Sequence, residues 1–210
     1  MKLAVAVPMK PLARAKARLR PRLGDAARQK LAADMLKHVL AAIAASRVAE
    51  ACGVVSADPA ALALAEEAGC EAILEAEPVG YNAAAARASA WAQARRCDAL
   101  LILPSDLPLI TPDDIRQLAR LAEPHPHVVV LTPDVHQQGT NAILLRPPDV
   151  IPFQFGPHSF SRHRELARNA RIPYLIFHSP TLARDIDWPQ DLASLHGGPH
   201  VTFEEQKLLP

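Results

Sequence analysis

Several groups of residues in this chain have types and spacings that could do chemistry. The first is a basic loop. Lys10, Arg14, Lys16, Arg18, Arg20, Arg22, Arg28 and Lys30 stand between positions 10 and 30 against one acid, Asp25. They follow directly on the apolar run Leu3-Ala4-Val5-Ala6-Val7, with Pro8 and Pro11 restricting the path of the loop. A charge run alone reads as solvated surface, but this one sits at the carboxyl end of a buried strand. Open α/β sheets take their ligands there, so the loop suits a polyphosphate. The second group is Asp106, in Pro104-Ser105-Asp106-Leu107-Pro108 behind the most apolar strand. Two prolines keep it out of a helix, at the sheet edge; the plain alternative is a turn or cap aspartate. The third is Asp185-Ile186-Asp187. In extended chain, residues two apart share a side, so these carboxylates repel each other unless a divalent cation lies between them. Magnesium prefers such a set of few carboxylates, waters and phosphate oxygens. Asp187 could equally cap a helix opened by Pro189. The fourth is Phe155-Gly156-Pro157-His158-Ser159-Phe160-Ser161-Arg162, where a helix start, a hydroxyl and an arginine suit a phosphate or carboxylate. Ser159 as a simple N-cap is the competing reading. Asn82, in Gly80-Tyr81-Asn82, could bond a ribose or base, or cap a helix.

Composition narrows the classes. A length of 210 residues, half of them apolar, fits one globular α/β domain with a proper core. A net charge of +1 with so local a positive cluster suits a small anion and argues against a nucleic-acid partner. Five Phe, two Tyr and two Trp leave little for base-stacking platforms. Cys52, Cys70 and Cys97 are far apart and odd in number, which excludes a disulfide framework, gives no metal spacing and reads as buried thiols. No apolar run reaches membrane length and the start has no signal-peptide layout, so the expected location is cytoplasmic, without a membrane partner. The remaining histidines, among them His125 and His127, show no zinc spacing and read as surface residues.

The elements that must position these groups alternate. Strands are expected near 2–7, 51–56, 71–74, 98–103, 127–131, 140–146 and 172–177. Helices are expected near 25–46, 59–69, 82–96, 112–122, 159–170 and 189–195. Solid apolar strands between helices imply a mostly parallel sheet with helices on both faces. Two strands meeting between Val128 and Leu145 with no helix between them add one antiparallel excursion. Asp25 is the expected cap of the first helix and Thr111 that of the fourth. One domain over 1–196 and a tail over 197–210 complete the layout.

Val7-Pro8-Met9-Lys10-Pro11 followed by Ala15-Lys16-Ala17-Arg18-Leu19 resembles the opening loop of the 2-phospholactate guanylyltransferase family. Gly80-Tyr81-Asn82-Ala83-Ala84, the aspartate after the central strand, Gly139-Thr140-Asn141 and the late Asp-X-Asp pair extend the likeness. The resemblance implies a single-domain, GT-A-like (Rossmann-like) α/β nucleotidyltransferase. It implies GTP and a small phosphorylated carboxylic acid as substrates, Mg2+ as cofactor, and a place in coenzyme F-420 biosynthesis. It assigns Asp106, Asp185 and Asp187 to the metal, and Lys16, Asp106 and Asp187 to catalysis. Pro8, Lys10, Lys16, Arg18, Gly80, Asn82 and Asp106 go to the nucleotide, and Thr140, Gly156 and Ser159 to the acid. It leaves a homodimer open. A phosphate monoester is already ionised near neutral pH, so no protein base is needed, in keeping with the lack of a Ser-His-Asp pattern. A CMP- or GMP-transferring enzyme of molybdopterin or isoprenoid type is a rival reading, although such loops are richer in glycine. A non-catalytic nucleotide-binding regulator is another, against which the intact aspartates argue. Gly139-Thr140-Asn141, which resembles the members that use saturated phospho-acids, and His158, where the family often has glycine or a small or acidic residue, point to 2-phospholactate or 3-phosphoglycerate in preference to phosphoenolpyruvate.

Overall fold

The computed structural model describes residues 1–77, 79–186, 189 and 191. In chain order these form β1 (Leu3–Pro8), α1 (Asp25–Ser46), β2 (Ala49–Ser56), α2 (Pro59–Glu67), β3 (Glu71–Leu74), α3 (Tyr81–Ala94) and β4 (Ala99–Ile102). There follow α4 (Pro112–Ala122), β5 (Val128–Pro133), β6 (Thr140–Arg146), α5 (Ser159–Asn169) and β7 (Tyr174–Ile176). One seven-stranded sheet has the order β3-β2-β1-β4-β6-β5-β7. Only β6 runs against its neighbours, β4 and β5, and this is the excursion expected between Val128 and Leu145. The helix expected over 189–195, the boundary at 196 and the tail 197–210 fall on or run into residues outside the described ones, as does Asp187.

Alternation along β1 builds both layers of the core. Leu3, Val5 and Val7 pack with Leu36, Val39, Leu40 and Ile43 of α1 and with Ile115 and Leu118 of α4. Ala4 and Ala6 face the other way, onto Ala84, Ala85, Ala88 and Ala92 of α3. Small residues on both sides of that contact let α3 approach closely, and Gly53 belongs to the same economy of space. A Cβ there would stand 2.6 Å from Ile73 Cδ1 and 3.1 Å from Trp91 Cζ2. The close approach brings the start of α3 to the carboxyl edge of the sheet, beside the basic loop.

Three details correct the sequence reading. Asp25 is the first residue of α1, not its cap; Gly24 holds that place. Asn82 caps nothing, since α3 starts after Gly80 at φ 120°, an angle that disfavours any side chain. Cys52 and Cys70 form a disulfide, with Cα atoms 4.8 Å apart. The crossover through α2 returns the chain beside β2, so 18 residues of separation collapse to a neighbouring strand position. Cys97 is a buried thiol, in line with the expectation for it.

Candidate functional site

The basic loop is pinned from three sides before any ligand is considered. The Met9 amide donates to Val55 O at 2.9 Å, tying the loop to the end of β2. Asp58 accepts from the Leu12 amide at 2.7 Å while its other oxygen takes the Ala60 amide and caps α2. Arg28 is fully buried, and its guanidinium donates to Ala15 O at 2.6 Å and to Asp25. That removes Arg28 from the set of cations available to a ligand: its charge organises the loop from within. Its partner Asp25 is held below the usual carboxylate range by the Arg28 hydrogen bond and then by the Arg28 charge. So braced, the loop makes two short 3-10 turns, Leu12–Arg14 and Ala17–Leu19, with Lys16 between them at φ 53°.

That left-handed backbone is unfavourable for a side-chain-bearing residue by about 1 kcal/mol. It turns Lys16 inward, where its ammonium donates to Asp106 Oδ2 and to the carbonyl of Ile186. The side chains of Lys16 and Asp106 retain 6% and 20% of their exposure, so the ion pair is shielded from water. Asp106 Oδ1 is buried and has no hydrogen-bond partner among the described residues. A buried carboxylate oxygen without a partner is costly, and a cation or a hydrogen-bond donor would relieve that cost.

Asp185 lies on a strap, residues 179–186, that is fastened at four points and meets this site through the backbone of Ile186. Asp114 lies at the start of α4, where Thr111 forms the expected capping box. The same carboxylate accepts from the Ser179 hydroxyl at 2.6 Å and the Thr181 hydroxyl at 2.8 Å. Asn141 donates to Leu182 O at 2.9 Å, and the Val135 amide donates to Ala183 O at 3.0 Å. At the far end Ile186 is buried with Leu19, Leu31 and Met35, and its amide reaches Asp106 O at 3.4 Å. Ile186 therefore points inward, as its place between two aspartates predicts. Among the described residues no cluster of three His, Cys, Asp or Glu groups forms a metal centre.

Pro8, Lys10, Lys16, Arg18 and Asp106 all line one cavity of about 310 Å³, together with Met9, Arg14, Tyr81 and Ser105. Of the segment 80–82 only Tyr81 is on its wall; burial and then the Asp106 charge raise the Tyr81 phenol. Asn82 instead spends its whole side-chain amide on Phe155, accepting from its amide at 2.7 Å and donating to its carbonyl at 3.2 Å. Arg14, one of the cations of the basic loop, is on the wall as well; Tyr81 and Ser105 escaped the sequence reading, although each is adjacent to a residue that reading singled out.

Thr140, Gly156 and Ser159 lie in a second cluster beside the first. Gly156 has φ 117°, open to glycine and strained for any other residue. Ser159 is the first residue of α5, not its cap, and its hydroxyl accepts from the Thr140 amide at 2.9 Å. His158 holds the cap position, exposed and with φ 56°. His163, one turn further into α5, is fully buried, against the reading of the remaining histidines as surface residues. Its Nδ1 lies 3.0 Å from Thr140 Oγ1, and its Nε2 takes the Gln154 amide at 2.9 Å. Phe155 joins the clusters, packing edge-on against Tyr81 at 4.7 Å and against His163 at 5.0 Å between centroids.

The family described as "Guanylyl transferase CofC like" matches residues 3–207. A phosphoenolpyruvate guanylyltransferase of Sphaerobacter thermophilus is 42% identical over 192 residues, covering 91% of this chain and 91% of that protein. A 3-phospho-D-glycerate guanylyltransferase of Colwellia psychrerythraea is 31% identical over 195 residues, covering 93% and 91%. The solved structure of CMP:2-keto-3-deoxy-manno-octonic acid synthetase complexed with CTP has a TM-score of 0.62 at 16% identity, over 93% of this chain and 97% of that one. It shares the fold of a nucleotidyltransferase.

Proposed function

Because this chain belongs to the CofC-like guanylyltransferase family, we propose that it transfers GMP from GTP to the phosphate of a small phosphorylated carboxylic acid, with release of pyrophosphate. The single observation that supports this most is the shielded Lys16–Asp106 pair on the cavity wall, with Asp106 Oδ1 buried and without a partner among the described residues. A cation and a hard oxygen donor are thereby held at one point, in a cavity that Lys10, Arg14 and Arg18 also line.

Asp106 Oδ1, an oxygen donor without a partner among the described residues, is of the kind magnesium takes. Asp106 and Asp185, with Asp187 beyond the described residues, would hold the ion, which supplies charge neutralisation at the α-phosphate and at the departing pyrophosphate. The chain's own groups do the positioning. The basic loop draws in and orients the triphosphate, and Lys16 exchanges its bond to Asp106 for one to a phosphate oxygen. Thr140, Gly156 and Ser159 hold the acid so that its phosphate faces the α-phosphorus of GTP. One phosphate oxygen of the acid forms the new P–O bond in line as the bond to the β-phosphate oxygen breaks. The nucleophile is ionised at neutral pH, so no proton need leave through the protein.

Phosphoenolpyruvate is the acid we assign. The relative at 42% identity is named for it and the one at 31% for 3-phospho-D-glycerate. This sets aside the preference for a saturated acid, which rested on Gly139-Thr140-Asn141 and on His158. From the family we place the activity in coenzyme F-420 assembly, in the cytoplasm. The test is pyrophosphate release from GTP with phosphoenolpyruvate, 3-phosphoglycerate and 2-phospholactate singly and in competition, with and without EDTA. Acid-dependent, EDTA-sensitive release that is fastest with phosphoenolpyruvate supports the reading. Release that ignores the acid or the chelator contradicts it.

A further inference from the structure

The buried histidine has no role in the reaction as described, yet its hydrogen bonds determine the polarity of a substrate-side hydroxyl. The Gln154 amide can only donate, so His163 Nε2 must accept and carries no proton. A neutral imidazole has one N–H, which is therefore on Nδ1 and donates to Thr140 Oγ1. Ser159 Oγ is likewise committed as acceptor, from the Thr140 amide. Among the described residues neither hydroxyl proton has an acceptor. Thr140 and Ser159 are 7% and 2% exposed, too enclosed for bulk water to serve both freely.

We propose that His163 is a positioning residue that fixes the Thr140 hydroxyl, beside that of Ser159, as a hydrogen-bond donor aimed at an anionic oxygen of the acid substrate. The proposal rests on the assignment of Thr140 to the acid. Two committed donors recognise a phosphate or carboxylate oxygen and reject a group that must itself donate, since its proton would meet theirs. Phe155 packs edge-on against the imidazole and keeps it from rotating out of this arrangement, and Asn82 fixes Phe155 through both backbone groups.

Two amide substitutions separate the halves of the imidazole. In His163→Asn the side-chain amide reaches about as far as Nδ1 and can still donate to Thr140. In His163→Gln an oxygen reaches about as far as Nε2 and can still accept from Gln154, while the donor to Thr140 is lost. The experiment measures KM for phosphoenolpyruvate and for GTP, with kcat, in the wild type, both variants, Thr140→Val and Thr140→Val/His163→Gln. His163→Gln is expected to raise KM for the acid about tenfold, the scale of one hydrogen bond to a charged group, with KM for GTP unchanged. His163→Asn is expected to restore most of that loss, and His163→Gln to add nothing once Thr140 is valine. If Thr140→Val leaves the acid's KM unchanged, the assignment of Thr140 itself fails. If Thr140→Val raises it but His163→Gln does not, or both variants weaken acid and GTP alike, the positioning role is overturned and the assignment survives.

Discussion

His163 also makes the fold acid-sensitive by an amount the structure sets. Burial alone lowers its pKa from 6.5 to about 4, and the Gln154 amide pointing at Nε2 leaves no room for a second proton. Above the unfolded value of 6.5 both states hold a neutral imidazole and the group contributes no pH dependence. Below it the unfolded chain takes up a proton that the fold refuses, so stability falls with pH until about pH 4, where the folded state protonates too. At 1.36 kcal/mol per tenfold in proton affinity, the complete effect is about 3 kcal/mol, of which about 2 kcal/mol is expressed by pH 5. The assay is urea unfolding of the wild type and of His163→Gln at about pH 8 and pH 5. Glutamine does not titrate, so other groups cancel in the comparison. The variant is less stable at the higher pH, and the gap should close by about 2 kcal/mol at the lower. A gap that stays constant would mean that His163 takes up a proton in the fold as readily as in the unfolded chain, so that the Gln154 amide does not keep Nε2 unprotonated.

Three further outcomes follow from the site. Asp106→Asn should lower kcat by at least about 100-fold, the scale of losing one charge-stabilising group, with a near-wild-type circular dichroism spectrum; retained turnover would remove Asp106 from the chemistry. Lys16→Ala should raise KM for GTP about tenfold or more and leave that for the acid nearly unchanged, as initial rates against each substrate would show. Asp114→Ala frees the Ser179 and Thr181 hydroxyls and loosens the strap that carries Asp185, at a cost of about 2–4 kcal/mol. Its affinity for Mn2+, read by electron paramagnetic resonance of the free ion, should drop as well; unchanged Mn2+ binding would detach the strap from the metal.

Much of this was legible in the chain because period and position are local properties. Apolar runs located the strands, Pro8 and Pro104 marked where they end, and Thr111 announced α4. The cavity residues Lys10, Lys16, Arg18 and Asp106 were legible for the same reason: they stand directly after β1 and β4, at the edge where such sheets bind. What escaped depends on partners distant in sequence. Arg28 looked like one more loop cation, and only the fold shows it buried under Ala15. Asn82 looked like a cap until Phe155, 73 residues on, took both ends of its amide. The disulfide joins cysteines that only a βαβ crossover makes neighbours, and His163 shows its importance only through Gln154 and Thr140.

The central claim is that GTP is attacked at its α-phosphorus by the phosphate of the acid. Phosphorus-31 NMR of the reaction with GTP, phosphoenolpyruvate and Mg2+ tests it most directly. The account predicts two coupled resonances of a new diphosphate diester appearing with pyrophosphate in equal amounts, and neither forming when the acid is left out. Orthophosphate with GDP, or pyrophosphate with free GMP and no coupled pair, would contradict it.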